Sequence, residues 1–172
     1  MTKELCLKKA AAEAAMTALT PFISLRQLAA VQTAMRGEEK EYFFDRMIAL
    51  AELTGSMPKT YEQDGLGDAA IVSLHYFAGG AANWWITEKD AGDAEQGTPP
   101  GQHQAFGLAN LFGGPTEQDA ELGYISIAEI IAHGGELDFY FRPRTLGELK
   151  GIAARVPQSP PPARHHAVMS TL

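Results

Sequence analysis

The chain has 172 residues, 45% of them hydrophobic and 20% charged, with a single cysteine and a formal net charge of −7. That length suits one domain whose core needs no disulfide or structural metal, and a lone Cys6 excludes an internal disulfide. A pI near 5.2 disfavours a general phosphate-binding role, and no apolar run is long enough to span a bilayer.

Residues 4–18 are rich in Ala, Leu, Glu and Lys and predict a helix that lacks a wide apolar stripe, so weak docking is expected. Lys3, Glu4, Lys8, Lys9 and Glu13 interrupt the alanines, so no secretory signal is expected. After Thr20-Pro21, Ser24 and Gln27 form a capping box for a second helix with Leu25, Leu28, Val31 and Met35 on one face. Gly37 stops it. Glu38, Glu39 and Glu41 suit the first turn of a third helix, where the macrodipole favours anions. Its core stripe is Phe43, Met47, Leu50 and Ala51, widened by Phe44 and Ile48, and the second and third helices are expected to form an antiparallel hairpin.

Met57 to Gly67 reads as an extended connector, and residues 69–77 as a strand. Along that strand Val72, Leu74 and Tyr76 should point one way, and Ile71, Ser73, His75 and Phe77 the other. A turn at 78–81 leads into a strand over 83–88, with Trp85 and Thr87 opposite to Trp84, Ile86 and Glu88. A loop over 91–101, a strand over 104–112, a turn at 113–115 and a strand over 121–125 follow. Ser126 with Glu129, and Thr145 with Glu148, cap two short helices. Between them residues 136–141 alternate, with Leu137, Phe139 and Phe141 inward. The reading is α+β: a mainly antiparallel sheet of four to five strands, packed with an N-terminal helical hairpin and short C-terminal helices. Residues 1–56 form the helical segment, 57–156 the α+β core, and 157–172 a disordered Pro-rich tail.

Four stretches carry a likeness. They are Met57-Pro58-Lys59-Thr60-Tyr61 with Gly67-Asp68-Ala69-Ala70-Ile71-Val72; Tyr76-Phe77 into Trp84-Trp85-Ile86-Thr87-Glu88; Phe106-Gly107-Leu108; and Glu121-Leu122-Gly123-Tyr124-Ile125-Ser126 with Glu129, Leu137-Asp138-Phe139-Tyr140-Phe141 and Leu146-Gly147-Glu148-Leu149. Over residues 57–150 the chain resembles domain-of-unknown-function family 2958, common on bacterial plasmids and other mobile elements. The segment before residue 57 looks like that of longer plasmid-borne members. The resemblance implies a bacterial, cytoplasmic, mobile-element setting and brings no catalytic residues.

No phosphate loop, dinucleotide fingerprint, serine nucleophile elbow or zinc spacing is present, and no cofactor is expected. Charge is concentrated instead. Glu88, Asp90, Asp93, Glu95, Glu117, Asp119 and Glu121 face Lys89 alone, which accounts for six of the seven net negative charges. An acidic contact surface anchored by an outward member of the Trp84-Trp85 pair, with Phe77, Phe106 and Tyr124 nearby, is therefore expected to meet a basic protein partner. A host defence protein fits the mobile-element setting. Direct nucleic-acid binding is not expected, since Arg142 and Arg144 make too small a basic cluster. The alternative reading is a metal-dependent hydrolase in which Glu88, Asp90 and Glu121 meet at the end of the sheet; a nucleic-acid module at the Arg142/Arg144 edge is a third. His75 and His103 are minor candidates for acid–base roles.

Overall fold

The computed structural model describes residues 2–79, 81–92, 101–112 and 120–153, with the side chains of 152 and 153 excepted. Asp93, Glu95, Glu117, Asp119, the turn at 113–115 and the tail lie outside the described residues. So does most of the 91–101 loop.

Three helices come first: α1 (Lys3–Ala18), α2 (Leu25–Ala34) and α3 (Lys40–Ser56). Thr2 and Ser24 cap the first two, each hydroxyl accepting an N–H three residues on. Contrary to the weak docking expected of it, α1 is firmly seated. Ala12, Ala15, Met16 and Leu19 are buried at helical spacing, and Lys8 reaches Asp45 at 2.7 Å. Alanines add little hydropathy to a sequence pattern, yet they let two helices approach closely. As a result α3 packs chiefly on α1, with α2 a lesser neighbour. Leu25, expected on the core stripe, is 79% exposed, because α2 turns only Leu28 and Val31 inward. The buried row of α3 is Phe44, Met47, Leu50 and Thr54, with Phe43, Ile48 and Ala51 half-buried beside it.

The strands follow: β1 (Ile71–Val72), β2 (Leu74–Ala78), β3 (Ala82–Glu88), β4 (Ala105–Asn110), β5 (Glu121–Ile125), β6 (Glu136–Leu137) and β7 (Arg144–Thr145). Helices α4 (Ile127–Ala132) and α5 (Leu146–Ala153) complete the chain, capped by Ser126 and by the reciprocal Thr145–Glu148 pair. Five strands form an antiparallel sheet in the order β5-β4-β3-β2-β6, and β1 pairs with β7 in a separate ribbon.

The sheet divides two cores. On one face Leu74, Tyr76, Ile86 and Leu137, with Trp84 alongside, pack against the helices. The wholly buried Tyr76 donates its hydroxyl proton to the Phe22 carbonyl at 2.8 Å, and burial pushes its ionisation well above the usual tyrosine range. On the other face Ala70, Val72, Leu108 and Leu146 form a smaller core, with Trp85, Phe141 and Leu149 against it.

Three details depart from simple alternation. Val72 and Leu74 belong to different cores, because the chain breaks at Ser73, whose N–H bonds to the Ile86 carbonyl at 2.8 Å. Residues 136–141 extend only through Leu137 and then turn, Asp138 accepting the Tyr140 N–H at 2.9 Å. Phe139 therefore joins the first core and Phe141 the second. Finally, β3 bulges between Ile86 and Glu88, so that Ile86 opposes Gly107 while Glu88 opposes Phe106. The extra residue moves Glu88 from the helix-facing side, where alternation would place it, to the face of Trp85 and Leu108.

The free side of β6 is closed by a side chain. Gln27 donates its amide to the Leu137 carbonyl at 3.0 Å and accepts the Leu137 N–H at 2.9 Å, as a neighbouring strand would. Gln27→Ala is expected to lower stability by about 2 kcal/mol through these two bonds, as read by urea unfolding. A change below a few tenths would show that water replaces them at no cost.

Candidate functional site

The bulge places Glu88 in a built site. Its side chain is buried, and its two carboxylate oxygens accept the Tyr61 N–H at 2.9 Å and the Gln63 N–H at 2.5 Å. Segment 58–60 is laid against the end of β3, with the Thr60 N–H bonding to the Lys89 carbonyl at 2.9 Å and the Lys89 N–H to Pro58 at 2.8 Å. Lys89 in turn caps α3, its ammonium donating to the Thr54 and Gly55 carbonyls at 2.6 and 2.7 Å. Burial is the main cause that holds this ammonium below the usual lysine range, with Lys59 adding to it. Gln63 supports the bulge from beneath, donating to the carbonyls of Thr87 (2.9 Å) and Ile71 (3.0 Å) and accepting the Ile71 N–H (2.7 Å).

Tyr61 sits in the left-handed region at φ 77°, a conformation that costs a non-glycine residue about 1–2 kcal/mol. It is held there at both ends. Its N–H goes to Glu88, and its hydroxyl accepts from the Tyr124 hydroxyl at 2.7 Å. The Tyr124 ring meets Phe106 edge-on at 5.6 Å and Tyr61 at 6.4 Å. These groups line a cleft of about 530 Å³, which Leu122, Leu146, Asp64, Gly65 and Gly67 complete. Among the described lining residues the charged ones are Glu88 and Asp64, both acidic.

The Tyr124 phenol is held above the usual tyrosine range, first by its hydrogen bond to Tyr61, then by lost hydration, and then by nearby negative charge including Glu88 and Asp64. Removing the acceptor with Tyr61→Phe should bring the Tyr124 titration down toward the ordinary range, as followed by NMR of ring-labelled tyrosine. An unmoved midpoint would mean that the carboxylates, not Tyr61, set it.

Compared with family models, curated proteins and solved structures, the chain matches none. The site therefore rests on its own geometry.

Of the residues singled out from sequence, Glu88, Tyr124 and Phe106 converge in the cleft. Asp90 does not join them. Its carboxylate accepts the N–H groups of Gly92 (2.7 Å), His103 (3.0 Å) and Gln104 (3.3 Å), which holds Gly92 beside His103. Glu121 pairs with Ala109, whereas Glu88 pairs with Phe106, three residues along β4. The expected meeting of Glu88 and Glu121 at one end of the sheet is thus separated by roughly 10 Å of strand. Among the described residues no three His, Cys, Asp or Glu side chains group in a way that could hold a metal ion.

The tryptophans lie on opposite faces as expected, but neither is an outward anchor. Trp84 packs beside the helical core and Trp85 beside the smaller one. Trp85 is covered by His75, stacked at 5.4 Å and 11°. His75 is fixed between Asp138 (3.1 Å) and Asn83 (2.9 Å), so both ring nitrogens are engaged and it ties the turn at Asp138 to β2. His103 is exposed, 3.4 Å from the Ser126 hydroxyl. Arg144 lies over the Phe141 ring at 5.2 Å. Tyr61, Gln63 and Asp64 were not among the sequence candidates, because the stretch that carries them was read as an extended connector.

Proposed function

We infer that this protein is a non-enzymatic interaction domain that takes a cationic side chain of a protein partner, arginine or lysine, into the cleft between Tyr61, Tyr124 and Phe106. The observation that carries this reading is the lining itself: three aromatic rings and two carboxylates, with no basic residue among the described lining residues. Ring faces attract cations, and a desolvated carboxylate beside them adds charge and hydrogen-bond acceptors. Glu88 uses two of its roughly four lone-pair positions on backbone N–H groups, which fix its direction and leave acceptor capacity over. The negative charge that raises the Tyr124 phenol favours a cation at the same place. A mobile-element setting, which the likeness of residues 57–150 suggests, would make a host defence protein with a basic groove a fitting partner.

The test is an NMR titration with a blocked arginine amide and with its neutral isostere, blocked citrulline amide. Arginine should shift the signals of Tyr61, Gly65, Phe106 and Tyr124, and Asp64→Asn should weaken it several-fold. Equal shifts with citrulline, or none at all with arginine, would reject the cation-binding cleft.

A further inference from the structure

The two edges of the sheet are finished differently. At β6 the Gln27 amide occupies both polar groups of Leu137. At β5, the opposite edge, no hydrogen bond among the described residues reaches the outer side. The strand carries no proline, lysine or bulge, and its one charge is Glu121 at the first position. Leu122 and Tyr124 stand 48% and 58% exposed on one face. Gly123 lies between them, with open space where a side chain would be.

We propose that β5 pairs antiparallel with β5 of a second copy of this chain, about a two-fold axis through Gly123. The occupant follows from the strand's own pattern. A two-fold axis perpendicular to a continuous sheet keeps every residue on its face, so only residues of equal parity can oppose one another. Among the registers that remain, the one centred on Gly123 is the one that uses all five residues of β5. It sets Leu122 against Tyr124 of the second copy, twice, an aliphatic–aromatic pair of the kind that stabilises sheets. It sets Glu121 against Ile125, so no like charges face each other although each chain carries −7. The result is a ten-stranded sheet with the two cation-binding clefts side by side on one face. Pairing of one short strand buries less than the roughly 1,200 Å² typical of stable complexes, so the dimer is weak and forms reversibly with concentration. The dimer shares Leu122 and Tyr124 with the rim of the cleft, but it is read from self-association and not from ligand binding, so the two can fail separately.

Disulfide trapping tests both the partner and the register. In a Cys6→Ser background, Gly123→Cys places two thiols directly opposite each other, with Cβ atoms roughly 4.5–5.5 Å apart, close enough for bonding after slight adjustment. Glu121→Cys places its two thiols about 14 Å apart along the strands. Mild oxidation should link Gly123→Cys rapidly and Glu121→Cys at least ten-fold more slowly. Sedimentation of the unmodified chain should show concentration-dependent dimer that Leu122→Lys, an exposed substitution, abolishes without altering the circular dichroism spectrum. Equal trapping at both positions, a monomer at millimolar concentration, or a dimer indifferent to Leu122→Lys would each overturn the proposal. Selective protection of the β5 amides by an added extended basic peptide, with no self-association, would assign the edge to another protein and overturn it as well.

Discussion

Gly107→Ala should lower Tm by about 10 °C. A Cβ built at Gly107 would lie 2.2 Å from the Trp85 carbonyl oxygen and 3.0 Å from the Ile86 Cα. Both obstacles are backbone atoms of a strand flanked on both sides, so neither can swing away as a side-chain tip would. Overpacking of this kind costs about 3 kcal/mol, and in a chain of this length each kcal/mol moves Tm by roughly 2–4 °C. The glycine is required by the bulge, which draws β4 tight against β3 where Ile86 opposes Gly107. Gly123, the next residue across the sheet, makes an internal control: it has open space around it, and Gly123→Ala should leave Tm within a degree or two. Thermal unfolding followed by circular dichroism decides the matter, and similar Tm values for the two alanine variants would contradict the close approach.

The second large effect is expected at Glu88. Glu88→Ala leaves the N–H groups of Tyr61 and Gln63 without an acceptor beside a buried strand end. At about 1–3 kcal/mol for each abandoned donor, the loss should reach roughly 3–4 kcal/mol in urea unfolding. Glu88→Gln retains one accepting oxygen and turns an amide donor toward the other N–H, so its cost should fall between wild type and alanine. Local consequences separate this account from a general loss of packing. The strained Tyr61 should relax, its hydroxyl should part from Tyr124, and hydrogen exchange at Gln63 should accelerate more than at Tyr76. A glutamine variant less stable than the alanine variant would show that the carboxylate is not held as described.

Much of the fold was readable because it is written in local signals. The caps at Ser24, Ser126 and Thr145 each sit three residues before the N–H they accept, a spacing visible in the chain. The β2–β3 hairpin and the opposed tryptophans follow from alternation and a glycine turn. The site was only half readable, for a physical reason. Glu88 and Tyr124 stood out by charge and aromaticity, but a one-residue bulge has no local signature, and it alone decides which face Glu88 joins. The Tyr61–Tyr124 pair spans 63 residues and depends on a left-handed tyrosine that no propensity would suggest. The burial of α1 was missed because its contact is made of alanines, and the exposure of Leu25 because periodicity cannot tell which edge of an apolar stripe is left outside.

The Gln27–Leu137 bonds join positions 110 residues apart, the widest separation among the described side-chain hydrogen bonds. Contacts at such separation are reached only after the chain between them has been brought into order. The three helices, whose contacts are near in sequence, can assemble early, and β6 is expected to take its place late. Gln27 thus acts on the exit from the native state more than on the route into it. In stopped-flow measurements Gln27→Ala should raise the unfolding rate by most of its stability loss and leave the folding rate nearly unchanged. A folding rate that fell in proportion would instead put the α2–β6 contact in the nucleus. Lifetime, rather than the speed of folding, is what this one amide governs.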